Sequence, residues 1–369
     1  MHFAFSEEQE FLRQTAKEWI AKESPLATVR TVMETETGFD EAQWAELAGL
    51  GWHAMAIPEE YGGAGYGFLE LAVLLEEMGA GLLPAPFLST VALGANAVLM
   101  AATEEQKAAI LPDVAMGGTR LAVAIGEDGG PWSADRIATS ATPSGDGWVL
   151  SGSKRFVMDG HTAEHVIVAA STGDEIGFFD VAAGADGMTC ELLPTMDTTR
   201  KLADLTFQDT PAVRIGSGDV SDHIEGLLRI ASVALALESV GGAQRTLDMA
   251  VAYAKDRVQF GRPIGSFQAI KHKCADMLLA VNGARAAAYY AAWALAEGSD
   301  ELERVAPLAK ASCTEAYFHC AQESIQIHGG IGFTWEHDAH LFFKRAKSNE
   351  LLIGAPSQHR ELLAERIGL

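Results

Sequence analysis

Arg257, Arg262, Lys271, His272 and Lys273 stand within the twenty-one residues "RVQFGRPIGSFQAIKHKCADM" (257–277) of a chain with a formal net charge of −23. The overall acidity argues against nucleic acid as the main partner, because phosphate backbones bind basic surfaces. It leaves room for a phosphorylated small molecule in a local basic pocket. Gly261, Pro263 and Gly265 interrupt a long helical pattern just after Arg257, and the pattern then resumes.

Other constellations carry less. "CTEAYFHC" (313–320) holds Cys313, His319 and Cys320, but it lacks a CxxC pair and fits a helix face. "HDAH" (337–340) offers two histidines without further ligands close in sequence, so no metal is expected. No G-x-S-x-G and no P-loop occurs. "YGGAGYG" (61–67) follows no strand and so is no dinucleotide fingerprint.

The elements that must position these residues show in the texture of the chain. A length of 369 residues suggests two or three domains. Residues 1–120 read as helical. Ser6 with Gln9 three residues on forms a capping-box signature, and "FDEAQWAELAGLGW" and "FLELAVLLEEMGAGLLP" continue the helical pattern. From 121 to 218 short β-rich runs alternate with Gly, Asp, Ser and Pro, and "SGDGW" reads as a hairpin turn. From 219 to 369 long apolar-periodic helices return. The fold class expected is α+β: an N-terminal all-α domain (1–120), a middle β-sandwich or barrel (121–218) and a C-terminal four-helix bundle (219–369).

Apolar stretches such as "FLSTVALGANAVLMAA" (87–102) are too short to cross a membrane, so no membrane association is expected. The N-terminus has no signal-peptide pattern. Four cysteines suggest no disulfide framework, and a cytoplasmic location is expected.

Four segments carry a resemblance that spans almost the whole chain. They are "GWHAMAIPEEYGGAGYG" (51–67), "GWVLSGSKRFVMDG" (147–160), "YAKDRVQFGRPIGSFQAIKHKCADM" (253–277) and "QIHGGIGFTWEHDAHLFFKRAK" (326–347). Together they resemble the acyl-CoA dehydrogenase family, and the third is the most specific. The resemblance implies non-covalent FAD and oxidation of the Cα–Cβ bond of an acyl-CoA thioester. That chemistry needs a base for the α proton and a cofactor that accepts hydride.

Residue by residue, the resemblance implies that Arg257, Phe260 and Gln268 reach a flavin diphosphate held by a neighbouring subunit. A forked, permanently charged guanidinium suits that group. Gln326, Gly329 and Gly330 form a second cofactor element, in which glycine lets backbone approach a ligand. Gly329 and Gly330 also suit a helix C-cap. Phe156 and Met158 fall where the family places a Trp and a Thr against the flavin ring. Phe156 can stack, whereas Met158 has no hydroxyl to donate. Glu127 matches a flavin-side turn in which Gly126 and Asp128 depart from the pattern.

The expected base is missing. "GAPSQ" (354–358) puts Gly354 at the common catalytic Glu, and a second family location falls near Ala231. Glu238, seven residues after Ala231 and on nearly the same helix face, is the nearest candidate. The alternative is a Glu paired with a basic side chain of the bundle. Glu350 is a weaker candidate. Arg229 is read as a contact to CoA phosphate or to the catalytic carboxylate. Lys271, His272 and Lys273, and also Lys344, Arg345 and Lys347, are read as solvated or interface faces.

The family forms tetramers with each flavin between two chains, so a homo- or hetero-tetramer is implied. A subunit that keeps Arg257 and Gln326 while lacking a base is similar to the unequal subunits of mixed α2β2 members that act in steroid side-chain breakdown. The small residues Ala85, Ser89, Thr90 and Gly94 suit either a roomy acyl pocket or close helix packing, and packing is the simpler reading.

Overall fold

The computed structural model describes residues 5–128 and 132–369; residues 1–4 and 129–131, the latter including the two glycines that follow "GED", lie outside the described residues. The chain gathers into two compact units, one of residues 1–31, 68–83 and 232–369, the other of 32–67 and 84–231. The ranges 1–120, 121–218 and 219–369 mark where helix gives way to strand and back. Compactness divides the chain differently, because two early segments, 1–31 and 68–83, pack with the late helices.

The first unit is helical. Its early helices are α1 (Glu7–Glu23), most of α2 (Leu26–Val32) and, after α3 (Glu41–Gly49) of the other unit, α4 (Phe68–Gly81). Ser6 Oγ accepts the Gln9 N–H at 3.1 Å and Gln9 Oε1 accepts the Ser6 N–H at 3.0 Å, so the capping box starts α1. Glu76 of α4 is buried and ion-paired to Arg13 of α1 and, at 3.0 Å, to Arg285 of the late helix α8 (Gln268–Ala296). Tyr289 Oη also donates to Glu76, at 2.6 Å.

In the second unit α5 (Ala95–Ala101) follows a π-helical stretch, Leu88–Gly94, and α6 (Glu104–Ala115) repeats the capping box with Thr103 and Gln106. Its strands are β1 (Leu121–Ala124), β2 (Ser140–Ser144), β3 (Gly147–Met158), β4 (His165–Ser171), β5 (Ile176–Ala182), β6 (Met188–Leu192) and β7 (Leu202–Ile215). Pairings β4–β2–β3–β7–β5–β4 run in a ring, with β1 beside β4 and β6 beside β7, so the β region is a small barrel. Gly145 and Asp146 make the two-residue turn between β2 and β3 that "SGDGW" foretells. Leu150, Phe179, Val181, Leu205 and Phe207 fill the interior. Full burial of each such side chain is worth about 1.5–3 kcal/mol before entropy is counted.

Ser89, Thr90 and Gly94 serve packing. Thr90 exchanges hydrogen bonds with the Leu121 backbone at 3.1 and 3.2 Å, and Ser89 donates to Asp159 at 2.6 Å. A Cβ on Gly94 would overlap Leu121.

The late helices are α7 (Ser221–Asp256), α8, α9 (Leu302–His328), α10 (Ala339–Leu351) and α11 (Pro356–Arg366). By length and composition α7 passes the test for a membrane-crossing helix, which the stretch at 87–102 does not; 83% of its apolar window is buried inside the fold, as in a core helix. On α9 the inward face runs Ala306, Ala309, Cys313, Tyr317, Cys320 and Ser324 at three- and four-residue steps. Cys313 and Cys320 are buried there and point at backbone carbonyls of α8.

Candidate functional site

The break after α7 is a hairpin rather than a bent helix. Its strands are β8 (Val258–Gln259) and β9 (Arg262–Pro263), in antiparallel register. The two turn residues, Phe260 and Gly261, have φ of 53° and 77°, the left-handed pair that defines a type I′ turn. Glycine fits there; phenylalanine is held at a cost of roughly 1–3 kcal/mol. Phe260 is 92% exposed, and its ring meets that of Phe267 edge-on with centroids 6.1 Å apart, a contact that buries little of it. Arg257 and Gln268 flank the hairpin and are exposed. Among the described residues no ion pair or hydrogen bond engages the Arg257 guanidinium, whereas Arg262 lies 4.1 Å over the Phe267 ring.

The second element ends α9. Gly329 (φ 63°) closes the helix, its N–H bonded to the carbonyls of Gln326 and Ile325. A Cβ on Gly332 would crowd Ile325, but one on Gly330 would meet nothing within 4 Å. Gly330 therefore leaves open space that the rest of this chain does not require. Gln326 is exposed beside it. Tyr253, one turn before Arg257, packs its ring at a tilt against His328 with centroids 4.5 Å apart, and His328 meets the His337 ring, also tilted, at 4.3 Å. These ring contacts tie the end of α7, which leads into the hairpin, to the end of α9, which leads into the glycine turn. Exposed Phe333 and Trp335 continue the surface, with Lys344 Nζ 4.1 Å over the Trp335 ring. An unpaired guanidinium, exposed rings and open backbone suit a planar, anionic ligand.

In the barrel unit Phe156 sits at a register shift of β3 against β7, with φ of 55° and a half-exposed ring. A bulge of this kind re-aims a side chain. Asp204 Oδ1 accepts its N–H at 3.1 Å. Met158 points into the core. The Glu127 carboxylate turns to Lys154 and the backbone. Its Oε1 is 2.6 Å from Lys154 Nζ, and the carboxylate accepts the N–H groups of Ala138 (2.8 Å) and Thr139 (3.0 Å). Burial raises the Glu127 carboxyl, but Lys154 and the backbone donors outweigh it and hold its pKa below the usual range. Burial pushes fully buried Lys154 down to about 8. Asp128 pairs with Arg155 at 3.0 Å. Trp132 lies against Gly126, where a Cβ would collide with its ring.

The candidate carboxylates fare differently. Glu238 is buried, and its Oε1 accepts from Arg345 Nη1 at 2.7 Å and from Asn349 Nδ2 at 3.5 Å. Asn349 also donates to Ser239 at 3.2 Å. Arg345 is thus not on a solvated face. Phe342, Arg345, Ala346 and Asn349 share the inward side of α10 at helical spacing, and Arg345 is 3% exposed. Removing the Glu238 carboxylate would leave Arg345 buried without its counter-charge, a loss of about 3–5 kcal/mol. This is the paired-Glu arrangement. Glu350 pairs with Lys347 at 2.7 Å, and Lys273 pairs with Glu323, joining α8 to α9. Ala231 is buried, and Arg229 is half-buried without an ion pair among the described residues.

The comparisons with known proteins decide the family. The model of the acyl-CoA dehydrogenase N-terminal domain matches residues 6–118 and that of the C-terminal domain residues 223–368. This chain belongs to the acyl-CoA dehydrogenase family. It is 37% identical over 362 residues, covering 98% of this chain and 99% of the relative, to acyl-CoA dehydrogenase IpdE2 of Mycolicibacterium smegmatis. Among solved structures it is similar to the steroid ACAD Tcur3481–Tcur3483 (34% identity, TM-score 0.90, covering 98% of both chains). It is also similar to the ChsE4–ChsE5 complex of Mycobacterium tuberculosis (28% identity, TM-score 0.91, covering 100% of this chain and 99% of that one). The helix–barrel–helix architecture is that of the acyl-CoA dehydrogenase fold. Sequence reasoning missed Lys154, Trp132 and a buried Lys310. The only signal for Lys310 was a lysine inside an apolar helical run, "VAPLAKASC".

Proposed function

We propose that this acyl-CoA dehydrogenase-family chain is one subunit of a FAD-dependent enzyme that introduces a Cα–Cβ double bond into an acyl-CoA thioester, and that it works beside a homologous chain carrying the base. The observation that carries this reading is the hairpin. Arg257 is exposed without a partner, Phe260 is held strained and bare, and Gly330 leaves open backbone beside them. These residues fit a flavin diphosphate: Arg257 would clamp its oxygens, Gln268 and Gln326 would add donors, and Gly329–Gly330 would let the backbone approach. Bound FAD supplies the acceptor for the β hydride. Phe156 offers a ring to stack, and Arg229 offers a charge to CoA phosphate.

The likeness to the ChsE4–ChsE5 complex supports a mixed assembly, and the likeness to the Tcur3481–Tcur3483 steroid ACAD supports a bulky acyl group. Glu238 is reserved for Arg345, position 231 holds alanine and position 354 holds glycine, so no carboxylate at these places is free to take the α proton. The same facts favour a second reading, a catalytically silent subunit that only stabilises a partner and its flavin. Anaerobic flavin bleaching across an acyl-CoA panel, on the chain alone and co-expressed with a homologous subunit, tests the proposal. Bleaching only in the mixed complex is expected. A mixed complex that binds flavin and bleaches with no acyl-CoA indicates the silent subunit.

A further inference from the structure

Lys310 is the exception on the inward face of α9. It is fully buried among small and apolar side chains. A buried ammonium is normally matched by a carboxylate. Among the described residues no carboxylate lies within ion-pair distance of Lys310. Its Nζ instead donates to two backbone carbonyls, Glu350 O at 3.3 Å and Gly354 O at 3.2 Å.

Those carbonyls bracket a strained turn. Glu350 lies at the C-terminal end of α10, where helical carbonyls lack intrahelical donors and a cation is favourable. Gly354 leads into α11. Between them Ile353, a β-branched residue, has φ of 56°, and Gly354 has φ of 116°. A Cβ at 354 would stand 3.2 Å from Gln358 Oε1 and 3.4 Å from His359 Nε2, in a backbone region that side chains avoid. A β-branched residue in the left-handed region persists only where the surroundings over-determine it, whereas Gly354 takes its φ without strain. The Gly354 N–H bonds to Leu351 O at 3.2 Å and the Ala355 N–H to Gln358 Oε1 at 2.8 Å; Lys310 adds a side-chain bridge from the neighbouring helix α9 to both sides of the turn.

We propose that Lys310 is a positioning residue that latches the α10–α11 loop, residues 352–355, in a turn only glycine can hold at 354, so that this loop cannot carry an acidic side chain there. The latch stands on geometry alone and needs no flavin. Under the proposed function it explains why the loop has no base to offer.

The surroundings make the latch readable by pH. Burial lowers the Lys310 ammonium from 10.5 to about 7, against the opposing pull of Glu350 and Cys313. Cys313 on α9 is pushed up to about 12 and His359 on α11 down to about 4, both by burial, so neither titrates between them. On α10 the facing groups are Glu350 and its partner Lys347. The unfolded chain holds the Lys310 proton up to its ordinary range, whereas the folded chain releases it from about 7. Stability therefore gains with rising pH across that window.

The test uses the full chain, with Lys310→Met, Gly354→Ala, their double variant and Gly354→Glu, followed by amide hydrogen exchange and urea unfolding from about pH 6 to 10. Each single variant is expected to speed exchange at 352–355 by about ten-fold, Lys310→Met by removing the latch that holds Ile353 and Gly354→Ala by adding strain of about the same size to the turn. The double variant should exchange no faster than the faster single, because both act on one turn. Lys310→Met should lose the rise of stability between pH 7 and 10. Unchanged exchange at 352–355 with only a global stability loss, strictly additive singles, a pH-independent stability difference, or a Gly354→Glu chain with wild-type exchange and stability would each overturn the latch.

Discussion

Glu238 and Arg257 lie on the same helix and its end, and the fold treats their charges in opposite ways. Glu238 is sealed inside and met by Arg345 at 2.7 Å, with Asn349 alongside. Arg257 is left at the surface with no partner among the described residues, beside a Phe260 ring held in strain and bare. A buried charge has to be neutralised within the fold, whereas an exposed one is left to solvent or to a ligand. The difference separates a carboxylate that belongs to the scaffold from a cation that the proposed function assigns to a ligand.

The largest expected effect attacks the sealed side. Glu238→Ala leaves Arg345 buried without its counter-charge and should lower unfolding free energy by about 3–5 kcal/mol in urea titration. Replacing both partners by apolar residues should recover most of it. If Glu238→Ala costs nothing, the buried pair is not what the fold uses Glu238 for.

His53 sharpens the contrast, being a buried ionisable group without a counter-charge. It is fully buried, its ring 3.9 Å from that of Trp44, and burial lowers its pKa to about 4. The unfolded chain takes up that proton near 6.5, before the folded chain does, so stability is lost as pH falls from about 6.5 to 4. The bound on the loss is about 3 kcal/mol at 1.36 kcal/mol per pH unit. His53→Leu should flatten the stability profile in that window, which urea titration at several pH values checks.

On the open side, Arg257→Ala should weaken flavin binding about 10- to 100-fold, the 1.5–3 kcal/mol of hydrogen bonds to a charged group, and leave the unfolding midpoint unmoved. Flavin titration of the mixed complex reads this. An equal loss of stability would place Arg257 in the scaffold. The smallest effect is Phe260→Asn, which makes the turn Asn-Gly, a pair favoured in type I′ turns. It should raise stability by up to about 1 kcal/mol while weakening assembly, measured by unfolding and by size-exclusion chromatography.

Local signals in the sequence were the readable ones. Ser6 with Gln9, Gly145 with Asp146 and the apolar period of α7 and α9 each act over a few residues, and each lands where its pattern says. The barrel ring was less visible because β4 closes on β2 and β5 through pairings far apart in sequence. The hairpin at 258–263 looked like a broken helix, since Phe in the left-handed region has no sequence signature. The inward turn of Arg345 could be read only from the partners Phe342, Ala346 and Asn349, and the orientation of Glu127 only from Lys154, twenty-seven residues on. Open and paired charges look alike in a sequence; only packing tells them apart.

The most direct measurement of the central claim is flavin content and acyl-CoA-dependent bleaching of this chain purified alone and with a homologous partner, each with Arg257 and with Arg257→Ala. The account predicts a colourless chain alone, a yellow mixed complex that bleaches, and loss of flavin from that complex when Arg257 of this chain is replaced. A yellow homomer that bleaches with acyl-CoA and stops doing so in Glu238→Gln would contradict it.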